Sequence, residues 1–281
     1  MAQKAHPTSL RPIEPLYQGA THWDEARFYY ILSMIHKLLG ACCSGTNHYL
    51  DRIRISRHLG LVLVETDLVH LHDRSKRPFK SRRYKENTLK LKRHSWTMVA
   101  CRLYSAAGLI QRFTGTKRVI IRINRLKTYT RAIPSPARCQ IAYYAKSFHN
   151  LRYVYARYGM QLLFLVVQDK ASVTSLSKYI VQNICTRKKK KRHNEFLNFL
   201  KRALESLREY QKIQGLKIQL KGRFTHKAKG RSRVWKYQMG RMPLSQLDKP
   251  IETEYLQTQT GYGGVGIKVW ICRSEKAYDQ I

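Results

Sequence analysis

Acidic residues are what this chain lacks most. Aspartate and glutamate number 17 against 54 lysines and arginines, a formal net charge of +37 over 281 residues. A folded body carrying that charge repels itself unless a polyanion neutralises it. Long apolar runs are also missing. The longest, Met160 to Val167, falls far short of the ~20 residues that cross a bilayer. The basic residues recur along the whole chain instead of gathering on one amphipathic helix, which favours nucleic acid as the neutralising partner and argues against a membrane. No Cys-x-x-Cys pair occurs among Cys42, Cys43, Cys101, Cys139, Cys185 and Cys272, and adjacent Cys42 and Cys43 are poorly placed for a mutual disulfide or a shared metal. Reduced, mostly buried thiols in a reducing compartment are expected.

Catalytic signatures are absent too. The sequence has no phosphate-binding Gly-x-x-x-x-Gly-Lys-Ser/Thr loop, no Gly-x-Ser-x-Gly and no His-Glu-x-x-His. Its carboxylate pairs, Asp24 with Glu25 and Glu252 with Glu254, fall among turn or edge-strand signals. His70 and His72, two apart on a strand pattern, could share a metal but lack a third ligand. We therefore expect no enzyme activity, no cofactor and no metal. No apolar signal core and no Arg/Ser-rich presequence follows Met1, so the expectation is a chain made in the compartment where it works.

What is present is organised around the C-terminal part. Val265, Ile267, Val269 and Ile271 alternate with Gly266, Lys268 and Trp270, the period-two signature of a strand with one buried face. Upstream, Leu216, Ile218 and Leu220 alternate with Lys217, Gln219 and Lys221. Between the two strands lies a basic band of Arg223, Lys227, Lys229, Arg231, Arg233, Lys236 and Arg241, with Trp235 and Tyr237 inside it. The expectation is a buried sheet with a cationic, aromatic-bearing surface. Four blocks in this region, Gly215 to Phe224, Arg231 to Arg233, Gly240 to Leu244 and Gly264 to Ile271, resemble in order and spacing the C-terminal domain of the universal small-subunit ribosomal protein number three, the S-three family.

The rest of the chain follows a second pattern. Thr21 to Leu39 reads as a helix, with Thr21 and Asp24 as cap, Trp23 and Tyr30 extending its core face and Gly40 as stop. Arg52 to Arg57 and Leu61 to Leu71 read as strands, Trp96 to Phe113 as a helix and Val119 to Asn124 as a strand. That order is similar to a ribosomal-type K-homology domain, the N-terminal half of the S-three family. Such domains clamp a nucleic-acid backbone with a Gly-x-x-Gly loop. None stands between Leu71 and Trp96, where a basic run from Arg74 to Arg93 lies instead. Leu126 to Gly159, interleaving tyrosines with arginines and broken at Pro134-Ser-Pro136, fits no strand or helix of that family pattern well and reads as an insertion or expansion between domains. Met160 to Asp169 opens the C-terminal domain, followed by helices over about 173–186 and 194–211.

The expected fold is α+β with two domains, a type II K-homology domain lacking the Gly-x-x-Gly loop and an α/β two-layer domain. The divisions are 1–20 as an extension, 21–125 with a basic insertion at 73–95, 126–159 as the Tyr/Arg-rich expansion, and 160–281. Expected RNA contacts are Arg52, Arg54, Lys76, Arg77, Arg82, Arg83, Lys188, Lys189, Lys190, Lys191, Arg192, Lys201, Arg202, Arg223, Arg231, Arg233 and Arg241, acting on phosphates and shape. The resemblance implies a structural protein in the head of the small subunit, bound to ribosomal RNA. It further implies messenger RNA near Lys201 where it enters the subunit, and the tenth and fourteenth small-subunit proteins as neighbours. Two positions that are basic in bacterial members fall on uncharged Leu197 and Asn198. The missing loop, the expansion and the absent presequence point to an organelle-encoded mitochondrial member, with a plastid or bacterial one as the alternative. Two other readings are a free RNA-binding protein or chaperone on a K-homology scaffold, and a nucleoid DNA protein.

Overall fold

The computed structural model describes residues 7, 17–18, 25–43, 48–58, 60–70, 96–126, 135–136, 139, 143, 154–185, 191–224 and 231–274. Helices and sheets alternate in an α+β arrangement that forms two compact units, one within residues 14–127 and the other within 128–281.

In the first unit the elements run β1 (Tyr17–Gln18), α1 (Glu25–Cys43), β2 (His48–His58), β3 (Leu61–His70), α2 (Trp96–Thr114) and β4 (Arg118–Leu126). The sheet order is β1-β2-β3-β4, with β2 and β3 antiparallel and β4 parallel to β3. A parallel neighbour demands a crossover, and α2 supplies it. The helices cover one sheet face. Ile35 and Leu39 of α1 and Val99, Leu103, Ala106 and Ile110 of α2 pack with Ile53, Ile55, Val62, Val64 and Leu68. At the far end of α1, Cys42 Sγ donates to the Arg102 carbonyl at 3.4 Å and Arg102 Nη1 donates to the Cys42 carbonyl at 3.3 Å, tying α1 to α2. Burial pushes the Cys42 thiol up, opposed in part by the Arg102 charge, so it stays protonated.

Two expectations fail in α1. Gly40 does not stop the helix. Cys42 and Cys43 carry it on into the core, and their burial outweighs the ~1 kcal/mol that a mid-helix glycine costs. Tyr30 is 62% exposed and so does not extend the core face. Thr21, Trp23 and Asp24 lie outside the described residues, as do the basic run 74–93 and His72.

The second unit contains α3 (Val154–Val167), α4 (Val173–Cys185), α5 (Lys191–Ser206), a single 3-10 turn (Arg208–Tyr210), and strands β5 (Gly215–Gly222), β6 (Arg233–Gly240), β7 (Ile251–Thr260) and β8 (Gly263–Cys272). The strands form an antiparallel sheet in the order β6-β5-β8-β7. On it, α4 packs against β7 and β8 and α5 against β6, while α3 packs on α4 and α5. From Leu162 to Val167 every residue of α3 is buried, as befits a helix apolar all round. It begins at Val154. The helix therefore begins inside the stretch expected as an expansion, 126–159, and a domain boundary at 160 cuts through α3. Apolar α3 packing decides this, and it overrides the weak local signal of Tyr155 to Gly159. Likewise α5 starts at Lys191, not Asn194.

Two features lock the frame of this unit. Arg273, only 3% exposed, lies just past β8. Its Nη1 is 3.5 Å from Asp169 Oδ1 in the α3–α4 turn, and its Nη2 is 2.7 Å from Glu252 Oε1 of β7. Gly240 pairs with Gly215 across β5 and β6 at φ +70°, where a Cβ would run into the Gln214 carbonyl oxygen. Only glycine suits that site.

Candidate nucleic-acid interface

Strand alternation gives the C-terminal sheet two unlike faces. Leu216, Ile218, Leu220, Val265, Ile267, Val269 and Ile271 all turn to the helices and are buried. On β7 the acids share that side. Glu252 meets Arg273, and burial pushes the Glu254 carboxyl above its ordinary value, opposed in part by the Lys178 charge of α4.

The other face carries Lys217, Gln219 and Lys221 on β5, Val234, Lys236 and Gln238 on β6, Lys268 and Trp270 on β8, and Thr253, Tyr255 and Gln257 on β7. None of these is a carboxylate. The loop after β6 folds over one end, where Met242 and Leu244 close on Trp270, Ile251 and Cys272. Lys217 Nζ stands 5.4 Å over the Trp270 ring and Lys268 Nζ 4.6 Å over that of Tyr255. Beyond this small apolar cluster, Lys221, Lys236, Lys268 and Tyr255 are exposed.

The aromatic pair of the basic band lies elsewhere. Trp235 and Tyr237 stack at 6.3 Å between centroids, but they are half-buried and share the helix side with Met239. Burial raises the Tyr237 phenol, Glu205 adds to this and Arg208 opposes it, so the end of α5 lies beside them. The aromatic-bearing cationic surface expected from the sequence is therefore divided. Its tryptophan and tyrosine pack under α5, and its lysines line the opposite face.

The expected contact residues are scattered among three settings. On β2, Arg52 sits in the register shift between Leu50 and Ile53 and is half-buried, while Arg54 is exposed opposite Glu65. Glu65 also receives Arg122 Nη1 at 3.1 Å. In the second unit, Lys201 and Arg202 are exposed on α5, and Lys201 Nζ is 3.9 Å from Glu205 Oε1. Leu197, 5% exposed, belongs to the core, and Asn198 is exposed. Arg231, Arg233 and Arg241 are exposed at the two ends of β6, and Arg223 is half-buried. Lys191 and Arg192 open α5. Lys76, Arg77, Arg82, Arg83, Lys188, Lys189 and Lys190 lie outside the described residues.

The list omits Lys217, Lys221, Lys236 and Lys268. Their signal was in the alternation of β5 and β8, and of Trp235, Tyr237 and Met239 with Lys236 and Gln238 in β6, but only the cross-strand register joins them. No group of three or more His, Cys, Asp or Glu residues that could hold a metal ion occurs among the described residues, and no described helix is long and apolar enough to cross a membrane.

Residues 187–271, from the basic run ahead of α5 to β8, match the family described as Ribosomal protein S3, C-terminal domain. Similar curated proteins include small ribosomal subunit protein uS3c of Mesostigma viride, 32% identical over 120 residues, which is 43% of this chain and 52% of that protein. Small ribosomal subunit protein uS3 of Picosynechococcus sp. is 33% identical over 105 residues, 37% of this chain and 40% of the relative. The uS3c of Tetradesmus obliquus is 41% identical over 76 residues, 27% of this chain and 11% of the relative. The matches thus span about half of these relatives at most.

Proposed function

We propose that this chain, a member of the ribosomal protein S3 family through its residues 187–271, is a structural, non-catalytic protein of a small ribosomal subunit that binds ribosomal RNA. The observation that carries the reading is the coincidence of that family match with a sheet whose acids are turned to the helix layer and whose outward positions are cationic. A net charge of +37 needs a polyanion of matching size, which a folded RNA supplies.

Finer points extend the reading. The first unit, ordered helix, strand, strand, helix, strand, serves as a type II K-homology domain whose backbone contact is taken over by the basic run 73–95 in place of a Gly-x-x-Gly loop. Arg52, Arg54, Lys76, Arg77, Arg82 and Arg83 contact RNA from this unit. Lys188 to Arg192, Lys201, Arg202, Arg223, Arg231, Arg233 and Arg241 do so from the other. Lys191 and Arg192 stand in the first turn of α5, where the helix dipole disfavours cations, and a bound phosphate reverses that penalty. Together with exposed Lys201 they face messenger RNA where it enters the subunit, in place of the uncharged Leu197 and Asn198. The tenth and fourteenth small-subunit proteins are its neighbours. The named relatives are algal and cyanobacterial, which favours an organellar or bacterial ribosome. The mitochondrial assignment rests on the missing loop and the 126–159 expansion.

Sedimentation of a native lysate at low and high magnesium, with each fraction blotted for the chain, tests the function. A structural protein follows the small subunit when subunits part and survives a moderate salt wash. A chain that stays at the top of the gradient overturns the reading in favour of a free RNA-binding protein.

A further inference from the structure

The bare face of the C-terminal sheet is a surface that the contact set above leaves out. Lys217 and Lys221 stand four residues apart on β5, about 13 Å at the rise of a strand. Gln219 lies between them, and Lys236 and Lys268 flank it on either side, about 10 Å from one another at the spacing of neighbouring strands. Four cations thus stand at the corners of a rhombus around a glutamine amide. None of these lysines has a carboxylate partner among the described residues. Beside the rhombus, Tyr255 is 38% exposed, its ring fixed by the edge of Trp270 at 5.8 Å and by Lys268 above it.

We propose that this face binds a single strand of RNA, with Lys268, Lys221 and Lys236 on its phosphates and a base stacked against Tyr255. Charge favours RNA over a protein. Lysine is depleted where proteins meet, whereas nucleic-acid interfaces are polar and strongly positive. Shape favours a single strand over a duplex. A flat sheet bearing an aromatic ring suits splayed bases, while a duplex hides its bases from it. The loop carrying Met242 and Leu244 closes one end of the face, so the strand runs across β8 and β5 toward β6. This inference rests on the reading of the chain as an RNA-binding ribosomal protein and assigns that binding a surface of its own.

The test uses the full chain, a labelled 20-nucleotide uridine oligomer, a 20-base-pair RNA duplex and a salt series. In the variant Lys221→Gln with Lys236→Gln and Lys268→Gln, the log–log salt slope for the oligomer should fall by about 2, from about 0.7 per lost phosphate contact. The duplex slope should change by less. Tyr255→Leu, which keeps an apolar side chain, should weaken the oligomer about fivefold at constant slope. An unchanged slope in the triple variant overturns the proposal. If that variant also releases a protein from the subunit, the face holds an acidic protein surface. An equal loss on duplex and oligomer overturns the single-strand assignment. Melting curves matching the unsubstituted chain exclude misfolding. A chain that sediments with the subunit while its triple variant binds RNA unchanged refutes the face alone, whereas a chain that never sediments with it refutes the ribosomal reading.

Discussion

Each unit has a four-stranded sheet with helices on one face and, among the described residues, no helix on the other, yet these two open faces differ in kind. That of the N-terminal unit mixes chemistries. Leu61 and Leu63 are half-buried on β3, Ile120 of β4 is 49% exposed, and Glu65 and Asp67 sit among Arg54, Arg118 and Arg122. Glu65 is in register with both Arg54 and Arg122. The C-terminal open face has lysines, glutamines and a tyrosine, and no acid. Alternation alone does not choose between these outcomes. In β7 the acids occupy the helix-side phase and in β3 the open-side phase. That single difference of phase leaves one sheet fit for a polyanion and the other for a partner with both signs of charge and an apolar centre.

The largest expected effect breaks the frame that holds the lysine face. Arg273→Met strands Asp169 and Glu252 without their shared cation and should destabilise the C-terminal unit by about 3–5 kcal/mol. Chemical denaturation with probes in each unit should show that transition moving alone. A shift in both would mean that the units unfold together.

A smaller effect sharpens the contrast between the faces. Ile120→Asp puts an acid on the outer strand of the mixed face. It should weaken retention on the subunit about fivefold or more through a salt wash, as loss of an apolar anchor does. The oligomer salt slope should not move. A change in that slope would show that both faces take RNA.

Glu254→Gln tests the burial of acids under the helices. The folded Glu254 is raised above the ordinary value of 4.5, so its stabilising contribution is complete below that pH and is lost as pH rises through the folded value. The variant should therefore gain about 0.5 kcal/mol at neutral pH and nothing at pH 4, read from melting curves at both. Lys201→Ala should move stability least, by about 0.3–0.5 kcal/mol, since its i,i+4 partner Glu205 is exposed. Any larger loss would have to appear in the RNA binding proposed above.

The sequence showed most of the elements, and the reasons for its failures are physical. Strands β5 and β8 were plain because their apolar phase is unbroken from Leu216 to Leu220 and from Val265 to Ile271. β6 was hidden. Trp235, Tyr237 and Met239 alternate there with Lys236 and Gln238, but the strand lies inside a basic band, and only Met239 of its residues is fully buried. α3 was cut short because Val154 to Gly159 are read against tyrosines and arginines, while packing on α4 and α5 decides the helix. Gly159 itself leaves no room for a Cβ against the Tyr179 hydroxyl, which a sequence does not reveal. The arginines were found by counting, and the lysine rhombus needed the cross-strand register.

β6 is also an edge, with its backbone on one side turned away from β5. Such an edge is a template on which another chain can add a strand and start an aggregate. Along it Arg233 and Lys236 bracket apolar Val234 and Trp235, and Gly240 at positive φ ends it abruptly. Two copies meeting edge to edge would bring like charges together. The cations that suit a polyanion thus also hold copies of the chain apart.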